Sequence, residues 1–276
     1  MSAVLSVHAS NLDRFLDCPR AAVADRYGGL LTAAGYEVKA TVRYVTPTVG
    51  NGVHAAADFL NNDYIRTGLL PTVDMIRASA EAGFDKFMQL YAKDLEQSEV
   101  KHTVKFADNE IIRRHIAEYA QLYAEIILPT RKLELSEQFF KIPLKDGFQV
   151  MSTLDGYGEK TLFDLKTGDK LTPAYAQVGM YVYLLRNAGY EVIAAQLDYI
   201  HKPKIGDPPR HTVIRYNPDD CEKIAQYATA RLMIDLEEFI RTQDINVLLI
   251  NPRSEGCCAL MCKLYSTSSC GGWRKG

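Results

Sequence analysis

The sequence predicts an α/β (α+β) fold in which a helical insertion precedes a core of strands and helices. Three observations carry this. Residues 148–168 hold two short runs of β-branched and apolar residues joined by a Gly-rich turn, which reads as a β-hairpin. Residues 71–96 and 109–127 place apolar side chains at helical spacing. After the hairpin the pattern runs helix, strand, strand, helix, over 172–187, 191–200, 211–216 and 217–242.

Taken in order, Ser10 and Asp13 stand at the spacing of a capping box, and Leu12, Phe15 and Leu16 follow at helical spacing. Cys18-Pro19-Arg20 interrupts, with Pro19 suited to the first turn of a continuing helix. Taken alone, Cys18 reads as a small buried apolar residue. Residues 28–49, rich in Gly and Thr, are expected to connect. Gly50 to His54 then opens a helix through Ala55, Ala56, Phe59 and Leu60, with His54 in its first turn. Gly50 and Gly52 permit close backbone approach. Met75, Ile76, Phe84, Phe87, Leu90 and Tyr91 form one apolar stripe. Ile111, Ile112, Ile116, Tyr119, Leu122, Tyr123 and Ile126 form another. Such stripes are core far more often than cofactor sites.

Residues 132–142, with Glu137, Phe139 and Ile142, alternate partly and are a strand entering the sheet. In the hairpin, 148–154 is the first strand with Asp155 at its end, 156–160 the turn and 161–166 the second strand. Thr172-Pro173 starts a helix with Pro173 at its first position, and Gly189 ends it. Residues 202–210 are a loop, Asn217-Pro218 starts the last helix, and the tail from Asn251 is loop-like.

A chain of 276 residues suits one large domain or two small ones. Its 47% hydrophobic and 24% charged content is ordinary for a globular protein. It has no apolar run of membrane-spanning length. The start lacks the basic region and long apolar core of a signal peptide, so a cytoplasmic location is expected. A net charge of −2 does not advertise nucleic-acid binding, so any DNA contact rests on a local basic groove, with metal ions offsetting carboxylates. Four of the six cysteines, Cys257, Cys258, Cys262 and Cys270, crowd into the last 20 residues. In a cytosolic chain such clustering favours metal or cluster ligation over disulfides.

The chemistry-bearing residues concentrate in the hairpin. Asp164 and Lys166 are two apart on one strand, so they share a face. With Asp155 they place two carboxylates and an ammonium at the hairpin mouth, a compact site for a divalent cation and an activated water. A D-x-K tripeptide by itself is more often a solvated strand face, and Asp155 by itself a turn residue. The rest of the chain shifts that balance.

The order Gly50-x-x-x-His54, Glu137, Asp155, Asp164-x-Lys166, Gln177-x-x-x-Tyr181 resembles the PD-(D/E)xK nuclease superfamily, and more narrowly its RecB-like members. The resemblance spans about residues 10–270. Each piece is weak; their order and their agreement with the expected elements make the set specific. Leu154 stands where the family name places a Pro. The resemblance implies a restriction-endonuclease-like core, a mixed central sheet flanked by helices. It implies one nuclease domain over 1–276, with a helical region at about 50–130 and a core at 131–243. Cys18-Pro19-Arg20 matches the first cysteine of AddB-like and CRISPR-associated adaptation nucleases, in which four cysteines hold an iron–sulfur cluster. By that resemblance Cys18, Cys258, Cys262 and Cys270, with Cys257 as the alternate for Cys258, would hold a 4Fe-4S cluster and clasp 10–27 to 251–276. Four thiolates also suit zinc.

The implied activity is a metal-dependent DNA exonuclease. Asp155 and Asp164 would hold Mg²⁺ or Mn²⁺, with His54 and the Leu165 carbonyl as further ligands. Glu137 is either a ligand or a carboxylate behind the ligands. Lys166 would position or activate the attacking water, and Gln177 and Tyr181 would steady Lys166 or contact the DNA backbone. The substrate would be single-stranded DNA or duplex ends, in recombination, repair or phage-type processing. A spacer-processing nuclease of CRISPR adaptation is the alternative within the family. A catalytically silent DNA-binding scaffold is the alternative of another class, opposed by the intact His54, Asp155, Asp164 and Lys166. A zinc-binding module would use the tail cysteines and leave the central residues unexplained. No G-x-x-x-x-G-K-[ST] loop is present, so any unwinding comes from a helicase or recombination partner.

Overall fold

In a computed structural model the spine of the sheet is β3 (Phe148–Gly158), and its two edges are used differently. The structure describes residues 4–39, 45–97, 109–145, 147–168, 171–201, 210–251, 253–254, 262–265 and 267–270, with 45–48 and 93–97 as backbone only. Along one edge of β3, β2 (Leu135–Pro143) runs antiparallel, from Leu135 opposite Tyr157 to Pro143 opposite Gln149. The other edge is shared. β1 (Leu5–Val7) pairs in parallel with 148–150, and β4 (Thr161–Gly168) pairs antiparallel with 156–158. Between these pairings the sheet forks. β4 then runs parallel to β5 (Ala194–His201), and β5 antiparallel to β6 (Arg210–Tyr216), which completes a mixed six-stranded sheet.

The hairpin turn is tighter than the sequence suggests. The strands continue through Gly156 and Gly158, and the turn is Glu159-Lys160 alone, with φ of 46° and 62°. Two successive left-handed residues are what a two-residue hairpin turn needs. The glycines serve packing instead: a Cβ on Gly156 would stand 3.2 Å from the Leu133 side chain, and one on Gly158 would strike the Lys132 carbonyl. Asp155 is therefore not at a strand end. It lies inside β3, where β4 begins to diverge.

Helices cover both faces. α1 (Ala9–Asp17) begins after His8, not at the Ser10 box, and Asp13 caps a different helix. α2 (Pro19–Ala33) starts at Pro19 as expected but continues through residues 28–33, with a kink at Tyr27. α3 (Val45–Thr67) starts before Gly50, which places His54 well inside the helix. Residues 40–44 of the expected connection lie outside the described residues. α4 (Val73–Gln97) and α5 (Asn109–Leu122) match expectation closely. The chain then widens into a π turn, Tyr123–Ile127, and tightens into a 3₁₀ turn, Leu128–Thr130. The wider turn swings Ile126 into solvent and buries Ile127 and Leu128; Ile111 is also exposed. α6 (Tyr175–Asn187) starts two residues after Pro173, and Gly189, at φ 90°, ends it. α7 (Pro218–Thr242) is capped by the Asn217 side chain, which accepts from the Asp219 and Asp220 amides. Of the expected loop 202–210, residues 202–209 lie outside the described residues, and Arg210 opens β6.

Two main apolar clusters sit on opposite faces of the sheet. One joins α1, α2, α6 and α7 to Leu162, Leu197 and Tyr199. The other joins α3, α4 and α5 to Phe163, Leu165 and Ile200. Each fully buried large side chain contributes about 1.5–3 kcal/mol. A buried polar chain also ties the helices to the sheet. Arg131 pairs with Asp198 and donates to Tyr123 Oη at 2.9 Å; Tyr123 donates to Asn61 at 2.6 Å, and Asn61 to Ser136 at 3.1 Å. His211 Nε2 lies 2.7 Å from Asp198 Oδ1. The tail is tied to the first helices. Arg20 donates to the carbonyls of Leu248 and Ser269, the Lys39 amide to Lys263, and Asn251 and Ser254 to Asp17. No helix among the described residues is long and apolar enough to cross a membrane.

α3 and α4 cross at two glycines. A Cβ on Gly83 would lie 2.5 Å from the Gly52 carbonyl oxygen, and one on Gly52 would lie 2.8 Å from that of Gly83. Gly83→Ala should therefore destabilise the fold by about 1–3 kcal/mol through overpacking. Gly29→Ala, mid-helix and in open space, should stabilise it by about 0.5–1 kcal/mol. Urea unfolding of both variants checks this; equal effects would mean the crossing is not tight.

Candidate active site

The fork brings three carboxylates onto neighbouring strands. Ser136 pairs with Gly156 and Gln138 with Leu154, so Glu137 stands opposite Asp155. On the other edge Gly156 pairs with Phe163, so Asp155 is also next in register to Asp164. Like charges placed opposite one another destabilise a sheet. The backbone at Glu137 is left-handed, φ 44°, which for a non-glycine residue costs about 1–3 kcal/mol and is typical of functional sites.

α3 supplies the first cation. His54 Nδ1 lies 3.3 Å from Asp155 Oδ1 and 3.4 Å from Glu137 Oε1. Among the described residues these three alone bring metal-ligating atoms within 4.8 Å of one another. Asp155 Oδ2 accepts from the Leu165 amide at 2.6 Å, across the gap where the β3–β4 ladder has ended. A residue's N–H and C=O point to the same strand edge, so the Leu165 carbonyl faces the fork too.

Lys166 supplies the second cation. Its Nζ donates to Asp164 Oδ1 at 3.0 Å. Gln177 Nε2 lies 3.5 Å from the same oxygen and 2.8 Å from Tyr181 Oη, one turn along α6. Asp164 is fully buried, and its Oδ2 has no hydrogen-bond partner among the described residues. A buried carboxylate oxygen left unpaired is costly unless a cation meets it.

Charge crowding splits the acidities. Burial and then Asp155 raise Asp164, against Lys166 and His54, to about 6. Burial would also raise Asp155, but His54, Lys166 and the Leu165 amide outweigh it and hold it at about 2. Burial would lower His54, but Asp155 and the two carboxylate hydrogen bonds raise it to about 10. Lys166 is raised as well: burial opposes its charge, and Asp164 and Asp155 outweigh burial. Glu137 is raised, first by burial.

His54, Glu137, Asp155, Asp164, Leu165, Lys166, Gln177 and Tyr181 thus come together. Among the cysteines, Cys18, Cys262 and Cys270 lie within electrostatic reach of one another, and burial followed by that mutual influence raises the Cys262 thiol. Cys257 and Cys258 lie outside the described residues. Cys221 is apart, buried under the α6–α7 crossing, its thiol pushed up to about 11 by burial. Asp13, which the sequence reading did not place near the site residues, touches the helix that carries two of them. It accepts from the Ala176 and Gln177 amides at 2.9 Å each. Its sequence signal was an acidic residue in the first helix, which the local capping box had absorbed.

The chain belongs to the PD-(D/E)XK nuclease superfamily, whose family model matches residues 6–262. Curated proteins give no match. Among solved structures it is similar to a protein from Eubacterium rectale provisionally named an exonuclease, with 14% identity, a TM-score of 0.39, and 62% of this chain covering 67% of that one. It is also similar to an alkaline exonuclease from Laribacter hongkongensis, with 14% identity, a TM-score of 0.30, and 69% of this chain covering 96% of that one.

The raised His54 fixes a pH dependence for the metal-free protein. A folded value of about 10 against an ordinary 6.5 means the folded state holds the proton more tightly. Its stabilisation is full below about pH 6.5 and is lost as pH rises through about 10. In chelator, the stability gap between wild type and His54→Gln should be widest at low pH within the folded range and close towards pH 10. Urea titrations across that range measure it, and a gap that ignores pH would show that folding leaves the proton affinity of His54 unshifted.

Proposed function

We propose that this nuclease is a metal-dependent deoxyribonuclease of the RecB-like, AddB-like kind, acting as an exonuclease on single strands or duplex ends in recombination, repair or phage-type DNA processing. The observation that carries the reading is the unpaired, buried Asp164 oxygen beside the His54–Glu137–Asp155 group. Such a site fits a hard divalent cation, Mg²⁺ or Mn²⁺, with Asp155, Asp164 and the Leu165 carbonyl as oxygen donors. His54 would add a nitrogen, favouring Mn²⁺, and Glu137 would complete the set. When bound, such an ion acidifies a coordinated water and polarises a phosphoryl oxygen.

The chain's own residues supply the rest. Lys166, its acidity weakened by two carboxylates, keeps its proton at neutral pH. As an ammonium it would be a positive donor to charge developing on the phosphate and would position the attacking water. Gln177 Nε2 bonds Tyr181 Oη within α6 and reaches Asp164 on the D-x-K strand. Any unwinding of duplex DNA falls to a helicase or recombination partner.

We further propose that 1–276 acts as one nuclease domain closed by a 4Fe-4S clasp. Its ligands would be Cys18, Cys262, Cys270 and either Cys258 or Cys257. The three described thiols are not gathered within 4.8 Å. Four thiolates suit zinc as well, and what favours a cluster is the resemblance of Cys18-Pro19-Arg20 to the first cysteine of the AddB-like nucleases.

End-labelled linear DNA should be cut with Mg²⁺ or Mn²⁺ and left whole in chelator. Asp164→Ala should stay folded and abolish cutting. Lys166→Ala should still bind DNA but turn over at least about a hundredfold more slowly. Wild-type cutting by folded Asp164→Ala would refute the site.

Anaerobically purified protein should be brown with about four irons per chain, and Cys18→Ala should lose the colour and melt lower. A colourless chain with about one zinc would replace iron by zinc in the clasp, and a metal-free chain would remove the clasp altogether.

A further inference from the structure

We infer that Asp13 is a positioning residue of the active site, holding the N terminus of α6 so that Gln177 reaches Asp164. The inference rests on the nuclease reading proposed above. The first amides of a helix have no partner within it. At the start of α6 the capping position is Ala174, whose side chain offers no acceptor. The acceptor comes instead from α1. Asp13 Oδ1 takes the Ala176 amide and Oδ2 the Gln177 amide, each at 2.9 Å. One oxygen on each of two consecutive amides fixes both the position and the rotation of the first turn.

That turn carries the residue the site needs. Gln177 Nε2 makes two contacts of different kinds. Its 2.8 Å bond to Tyr181 Oη lies within α6 and travels with the helix. Its 3.5 Å contact with Asp164 Oδ1 crosses to β4 and is at the limit of hydrogen-bond length. A shift of α6 by a few tenths of an ångström therefore keeps the first and loses the second. Asp13 sets that distance without touching substrate or metal ligands itself. Its negative charge also faces Lys166 and the positive end of the α6 dipole. The Ala174 amide, 3.3 Å from Tyr216 Oη, is a second and weaker tether on the same turn.

The test combines kinetics with amide exchange on the full chain. In Asp13→Ala the amides of Ala176 and Gln177 should exchange faster. The rate constant kcat on end-labelled linear DNA with Mn²⁺ should fall roughly tenfold, with KM nearly unchanged, because misplacement of a positioned group is felt in the transition state. Asp13→Asn, which keeps the shape but only one of the two acceptors, should lose an intermediate, roughly threefold, part of the rate. Acting through Gln177 also predicts non-additivity: in a Gln177→Ala background, Asp13→Asn should cost nothing further. That cycle decides the matter if Asp13→Ala does not fold. A folded Asp13→Ala that cuts at the wild-type rate, unchanged exchange at both amides, or fully additive effects would each overturn the inference. A wild-type chain that cuts no DNA under any metal would overturn the nuclease reading itself.

Discussion

Asp155 stands between Glu137 and Asp164 on adjacent strands, and the rest of the site answers that electrostatic strain. A sheet that pairs its strands fully has no room for three facing carboxylates. Here β1 and β4 divide one edge of β3 and leave an opening beside Asp155. Into that opening come the His54 imidazole from α3, the Leu165 amide from β4 and the Lys166 ammonium. Two cations stand against three buried or half-buried carboxylates, and burial, with Asp155 beside it, holds Asp164 near 6.

The hairpin residues were legible because strand alternation and the D-x-K spacing are local signals. So was α7, whose Asn217-Pro218 start is a cap written in two residues. The fork was not legible. It depends on Leu5–Val7, too short a strand to show a period, pairing with a segment far along the chain. Glu137 was read as part of a strand, but its left-handed backbone follows from tertiary constraint, not from propensity. Asp13 was hidden by a plausible local partner, Ser10, while its real partners are more than 160 residues away. The π turn at Tyr123–Ile127 escaped because the apolar stripe continues through it with only a slip of phase.

The buried polar chain from Asp198 through Arg131, Tyr123 and Asn61 to Ser136 ends one residue before Glu137. Paired buried charges of this kind add little net stability, but breaking one partner costs about 3–5 kcal/mol. Their worth here is placement. They register the helices, and with them His54, against the strand that carries Glu137. The carboxylate-bearing strands and the helical cover are thus one mechanical unit.

The ties between the two ends of the chain also set an order of events during synthesis. Ser6, bonded to Gln149, must wait for a partner 143 residues downstream. At ordinary elongation rates that is on the order of ten seconds. Arg20 waits longer, for the Ser269 carbonyl 249 residues away. Until residues 248–269 have been made, α1 and α2 lack the partners that hold them in the folded chain. Residues of α1 and α2 therefore complete their contacts late, Asp13 only once Ala176 and Gln177 exist and Arg20 only once Ser269 does.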